Sequence, residues 1–131
     1  HGITSNDVKD TALSLQLRSS INHLLLEIDE LMNSIKDKAI EEIETPCLGR
    51  SHGMHAEPMS FGAKLAIFWD ELYRHKSRLI ETKDRVSICM ISGPVGSYAT
   101  VSPDLEKKVA KKLSLKPANV TNQVIQRDIH A

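Results

Sequence analysis

Apolar positions in the first third of the chain recur at helical spacing. Leu13, Leu17, Ile21, Leu24, Ile28, Leu31 and Ile35 follow one another at steps of four or three. This predicts a helix from about residue 7 to about residue 43, its later part close to a heptad. Leu15, Leu25, Leu26 and Met32 widen the apolar stripe beyond a two-stranded seam, so the helix needs several partners to bury it. Ser5 or Asn6 can cap its start, Asp7 and Asp10 suit its positive end, and Pro46 is expected to stop it. At 1.5 Å per residue it would extend roughly 55 Å. A compact chain of this size has a radius of gyration of only about 14 Å. Helices of such proportions belong to bundles or oligomers.

Residues 44–60 carry glycines, prolines and histidines and read as a loop. Ser60 can cap a second helix from about residue 61 to about residue 86, with Leu65, Phe68, Leu72 and Leu79 as its stripe. The stretch ICMISGPVGSYAT is apolar at both ends and Gly-Pro-rich in the middle, which predicts a buried turn or short hairpin near 88–100. Ser102-Pro103-Asp104 opens a third helix, running to about Leu113, and Pro117 blocks its extension. Thr121 or Asn122 is expected to start a last element. The fold class that follows is mainly α, a bundle of long helices joined by loops that hold the polar chemistry.

Composition narrows the function classes. Seventeen basic residues balance seventeen acidic ones, which gives no electrostatic reason to expect nucleic acid as a partner. No apolar run approaches the roughly 20 residues needed to span a bilayer, and HGITSNDVKD lacks the features of a signal peptide. Cys47 and Cys89 form no CxxC pattern and suit free thiols in a reducing cytoplasm. A start at His1 and an end at RDIHA suggest a piece of something longer.

Four polar clusters are candidates for chemistry. The first lies in Gly49-Arg50-Ser51-His52-Gly53-Met54-His55-Ala56-Glu57-Pro58, where a histidine can exchange a proton near neutral pH beside a serine hydroxyl. The plainer reading is a polar loop whose histidines satisfy backbone groups. His52 and His55 are poor metal ligands, since no cysteine or carboxylate cluster completes a site with known spacing. The second, Thr4-Ser5-Asn6-Asp7, stands at a helix N-terminus that can hold an anion, although capping alone explains every residue. In the third, Gln123 can pair with a donor and an acceptor of a planar ligand. Its neighbours Arg127 and Asp128 could form a structural ion pair. The fourth, Ser92-Gly93-Pro94-Val95-Gly96, reads equally as a tight turn. The residues alone therefore describe a helical scaffold with polar loops able to bind an anionic ligand.

Taken in order, HGITSNDVKDTALSLQL, GRSHGMHAEPMSFGAK, ISGPVGSYA and NQVIQRD resemble the adenylosuccinate lyases of the fumarase/aspartase superfamily. These pieces cover most of the chain. Fumarases and aspartases resemble GRTHLQDA in the central loop, and argininosuccinate lyases a THLQ form. Cycloisomerases share much of the TS-D-DTA pattern but generally lack the histidine that matches His52. On the resemblance, the chain is a partial lyase domain, the end of an N-terminal region plus the start of the central helical bundle.

The resemblance implies β-elimination of fumarate from adenylosuccinate, giving AMP, and from the succinyl-carboxamide ribotide of purine biosynthesis. No metal or organic cofactor is implied. His52 matches the proton donor to the departing nitrogen. Thr4, Ser5, Ser51 and Gln123 match substrate-binding positions, Ser51 standing where the family has a threonine, and His55 and Glu57 match supporting residues. The family is homotetrameric, and each active site combines three chains. Two departures count. The family's substrate-binding histidine would fall just before Gly2's neighbour, so His1 is a poor candidate. The mobile serine loop Ser-Ser-x-Met-Pro-x-Lys-x-Asn-Pro, which carries the catalytic base, is absent from these residues. The segment by itself is expected to be inert. The alternatives are another superfamily lyase, such as an argininosuccinate lyase, and a non-enzymatic helical oligomerisation module.

Overall fold

The computed structural model describes residues 2–131, and His1 lies outside the described residues. Helix α1 spans Ser5–Glu41, strands β1 and β2 span Pro46–Ser51 and Met54–Ser60, and α2 spans Phe61–Val86. Strand β3 (Ile88–Cys89), helix α3 (Pro103–Leu113), strand β4 (Lys116–Pro117) and a 3₁₀ turn at Arg127–Ile129 complete the chain. The architecture is mainly α, as the periodicity predicts.

One expectation needs correction. Residues 44–60 are not a loop: β1 and β2 form an antiparallel hairpin from Pro46↔Ser60 to Ser51↔Met54, irregular between Leu48 and Arg50. The alternation that marks a strand is broken here by Pro46, Gly49 and Pro58, so the pattern gave no period of two. In the stretch 88–100 the turn, not the hairpin, of the two expected alternatives is present. Its strand β3 pairs in parallel with β4, Ile88↔Lys116 and Cys89↔Pro117, and the rest is turns. Stop signals also act differently from expectation. Helix α1 gives way to turns before Pro46, which instead opens β1. Helix α3 ends at Ser114, whose left-handed backbone (φ 55°) returns its N–H to the carbonyls of Ala110 and Lys111. Pro117 therefore stops nothing.

The chain divides into two compact units, one made of the residues up to Asn22 with Ile80–Ala131, the other of His23–Leu79. In the terminal unit, Cys89, Ala110 and Leu115 form a core against which Leu15, Ile91, Val109 and Leu113 pack. Buried polar groups stitch it. Thr11 Oγ1 donates to the Met90 carbonyl and accepts the Met90 N–H, both at 3.1 Å. Arg18 donates to the carbonyls of Leu113 and Ser114, meeting the negative end of α3.

In the middle unit, the C-terminal part of α1 and the start of α2 meet at Gly62. A Cβ there would overlap the Ala39 carbonyl oxygen and approach the Ile43 backbone at 2.8 Å, so only glycine permits the approach. Ser60 Oγ accepts the Ala63 N–H at 3.2 Å, capping α2 as expected, and donates to the Ile43 carbonyl at 2.6 Å. Lys76 pairs with Asp29. Met32 is buried, but Leu24, Leu26, Leu31, Ile40, Ile67, Phe68 and Tyr73 are exposed. The stripe that predicted α1 is thus only partly covered within the unit.

Candidate active-site residues in two units

Thr4, Ser5 and Gln123 belong to the terminal unit. Helix α1 begins at Ser5, so the capping expected of Ser5 or Asn6 shifts in register. Asp7, 1% exposed, accepts the Thr4 N–H at 2.8 Å on Oδ2 and the Ser92 N–H at 3.0 Å on Oδ1. Asp10, one helical turn later and on the same face, accepts the Ile125 N–H at 3.1 Å on Oδ2 and Arg127 at 2.9 Å on Oδ1. The ion pair expected between Arg127 and Asp128 is therefore replaced by one between Arg127 and Asp10.

Gln123 is exposed between two anchors. On one side Thr121 Oγ1 and Ser92 Oγ share a hydrogen bond of 2.7 Å. On the other, the Ile125 N–H meets Asp10. Asn122 Oδ1 accepts the Val124 N–H at 2.9 Å, an Asx turn that shapes the segment between the anchors. No further helix starts at Thr121 or Asn122. Gly96 completes the cradle: its φ is +77°, and a Cβ there would overlap the Thr121 carbonyl oxygen. Through these contacts Thr4 and the segment that carries Gln123, far apart in sequence, are both anchored to the first two turns of α1, which itself begins at Ser5. Asp7, Asp10 and Ser92 carry this arrangement, yet sequence reasoning assigned them to capping and a tight turn. The i, i+3 spacing of the two carboxylates was the available signal.

Ser51, His52, His55 and Glu57 belong to the middle unit, all on the hairpin and all exposed. The pair Ser51↔Met54 closes a two-residue turn whose residues, His52 (φ 52°) and Gly53 (φ 76°), both have positive φ. That sign at both positions is the signature of a primed hairpin turn. Histidine tolerates the left-handed region better than most residues, and the turn presents the imidazole at the hairpin tip. Arg50 pairs with His55 across the strands. Among the described residues no three His, Cys, Asp or Glu side chains gather as a metal site.

Comparison with known proteins decides the family. The family described as Lyase matches residues 1–131. The chain belongs to the lyase family. Adenylosuccinate lyase of Bacillus subtilis is 44% identical to this lyase chain over 100% of the chain and 30% of the relative. Adenylosuccinate lyase of Aquifex aeolicus is 43% identical over 99% of the chain and 30% of the relative. Among solved structures, a fumarate lyase from Mesorhizobium sp. BNC1 superposes with TM-score 0.86 at 32% identity, covering 92% of this chain and 29% of that one. The 3-carboxy-cis,cis-muconate lactonizing enzyme from Pseudomonas putida gives TM-score 0.84 at 31% identity, covering 91% and 28%. This lyase chain thus spans about 30% of the length of the curated relatives it matches.

Proposed function

We propose that the protein containing this chain is an adenylosuccinate lyase, a carbon–nitrogen lyase that eliminates fumarate from adenylosuccinate to leave AMP, and from the succinyl-carboxamide ribotide to leave the carboxamide ribotide. One observation carries the reading: identity of 43–44% to adenylosuccinate lyases runs through 99–100% of the chain. The lower identities of 31–32% to a lactonizing enzyme and a fumarate lyase disfavour another superfamily member.

The chemistry assigned to the chain's residues follows from the bond that breaks. The C–N bond of the succinyl group cleaves while a proton leaves the adjacent carbon. The departing nitrogen is a poor leaving group until it is protonated. His52, at the end of a short turn, is the donor of that proton. The developing carbanion is stabilised as an aci-carboxylate by hydroxyl and amide donors, and Thr4, Ser5, Ser51 and Gln123 bind the substrate. The base that removes the carbon-bound proton comes from the serine loop that these residues lack. The exposed apolar face of the middle unit supports self-association through the long helices, and the proposed assembly is a homotetramer. No helix among the described residues is long and apolar enough to cross a membrane, and the proposed location is the cytoplasm.

The test is fumarate release from adenylosuccinate by the full reading frame containing this chain, beside its His52→Ala variant. The expected result is robust release that falls by about 10²–10⁴-fold in the variant. Release that survives the variant removes His52 from its role. No release from either folded protein overturns the assignment.

A further inference from the structure

We infer that Asp10 and Arg127 are positioning residues for substrate: their ion pair docks the segment that carries Gln123 onto α1. The inference rests on the functional reading above, which gives Gln123 a substrate contact. Four observations carry it. Asp10 is 4% exposed, and both its oxygens face the docked segment rather than its own helix, one accepting the Ile125 N–H and the other Arg127. Ile125 is itself 1% exposed, so the segment is seated as well as tethered. On the other side of Gln123, Thr121 reaches Ser92, whose N–H is held by Asp7. Asp7 also holds the Thr4 N–H. One face of two helical turns thus fixes the residues on both sides of Gln123 and, through the same carboxylate pair, Thr4.

The segment between the anchors has little regular structure of its own, so its geometry depends on these few bonds. Arg127 is largely exposed, and its removal loosens the docked end, leaving Asp10 with the Ile125 N–H alone, without opening the apolar core. Gln123 would then sample several positions, and a contact made equally in ground and transition states would weaken.

The experiment is a double-mutant cycle in the full reading frame with Arg127→Gln, Gln123→Ala and the pair, assayed on adenylosuccinate. Arg127→Gln is expected to raise KM about tenfold with kcat changed less than about threefold, and to add nothing in the Gln123→Ala background. A full, additive effect in that background overturns the inference, because Arg127 would then act elsewhere. Arg127→Lys, which keeps the charge, should recover most of the KM. Amide hydrogen exchange separates the two layers of argument. Ile125 should lose at least tenfold protection in Arg127→Gln whatever the substrate is, and unchanged protection overturns the docking. Lost protection in a folded protein that does not cleave adenylosuccinate overturns the functional reading, and the Gln123 role with it.

Discussion

Tyr98 donates its phenolic hydrogen to Glu106 Oε2 at 2.7 Å, and the other oxygen of Glu106 accepts the Ile91 N–H at 2.9 Å. Glu106 is 3% exposed, so α3 is fastened to the 91–98 turn from inside. Burial, reinforced by the carboxylate, pushes the Tyr98 hydroxyl up from 10.0 to about 12. A folded pKa above the unfolded one means that the associated stability is complete below about pH 10 and is lost as pH rises toward 12. Spectrophotometric titration should show Tyr98 ionising well above an ordinary tyrosine. Tyr98→Phe should abolish that phase and cost about 1–2 kcal/mol in urea unfolding, because it leaves a buried carboxylate oxygen unpaired.

Gly96 should tolerate no side chain. Its φ of +77° and the Thr121 carbonyl oxygen in the path of a Cβ combine strain with overlap. Gly96→Ala is expected to destabilise by about 3 kcal/mol, or to displace residues 121–123 instead. Urea unfolding combined with KM for adenylosuccinate separates the outcomes: a shifted midpoint marks retained geometry, and a raised KM at an unchanged midpoint marks displacement.

His130 Nε2 lies 2.9 Å from Ser14 Oγ, and Nδ1 is buried without a partner among the described residues. Burial lowers its pKa, Arg127 lowers it further, and Asp10 opposes both. A histidine with a depressed folded pKa contributes stability that is complete above the unfolded value of 6.5 and declines as pH falls through and below it. Thermal unfolding between pH 7.5 and 5 should show this decline, and His130→Gln should flatten it. An unchanged slope in the variant assigns the pH dependence to other groups.

The 131-residue chain alone should release no fumarate, since it carries no serine base loop. It should still associate, with Leu24 at 50% and Leu31 at 48% exposure among its uncovered apolar side chains. Analytical ultracentrifugation is expected to show oligomers. The double change Leu24→Gln and Leu31→Gln should move them toward monomer at a stability cost within about 0.5 kcal/mol per site. Turnover by the pure chain overturns the assignment of the base, and a monomeric parent chain overturns the assignment of the face.

Local signals were legible in the sequence where one residue acts on its own neighbours. Ser60 before α2 and Ser102-Pro103 before α3 each bond to an N–H three residues on, a relation that spacing alone reveals. The hairpin was hidden because prolines and a glycine interrupt its alternation. The partner of Arg127 was hidden for a different reason: Asp128 is its sequence neighbour, whereas Asp10 lies 117 residues away. Asp7 and Asp10 look like solvated residues near a helix start. Only the folded chain shows them facing inward to hold Thr4, Ser92, Ile125 and Arg127. The candidate residues Thr4, Ser5, Ser51, His52 and Gln123 were visible as types and through resemblance, but their supports were not.

The base of the β1–β2 hairpin is closed independently of its tip. The Phe61 N–H reaches the Thr45 carbonyl at 2.8 Å, the Gly62 N–H reaches Glu42 at 3.0 Å, and Ser60 reaches Ile43. Everything between Pro46 and Met59 therefore hangs from a sealed stem, and lengthening it would cost only a slowly growing closure entropy. Such a part is exchangeable. Changes to the tip or its length can be absorbed there, while the corner between α1 and α2 keeps its register.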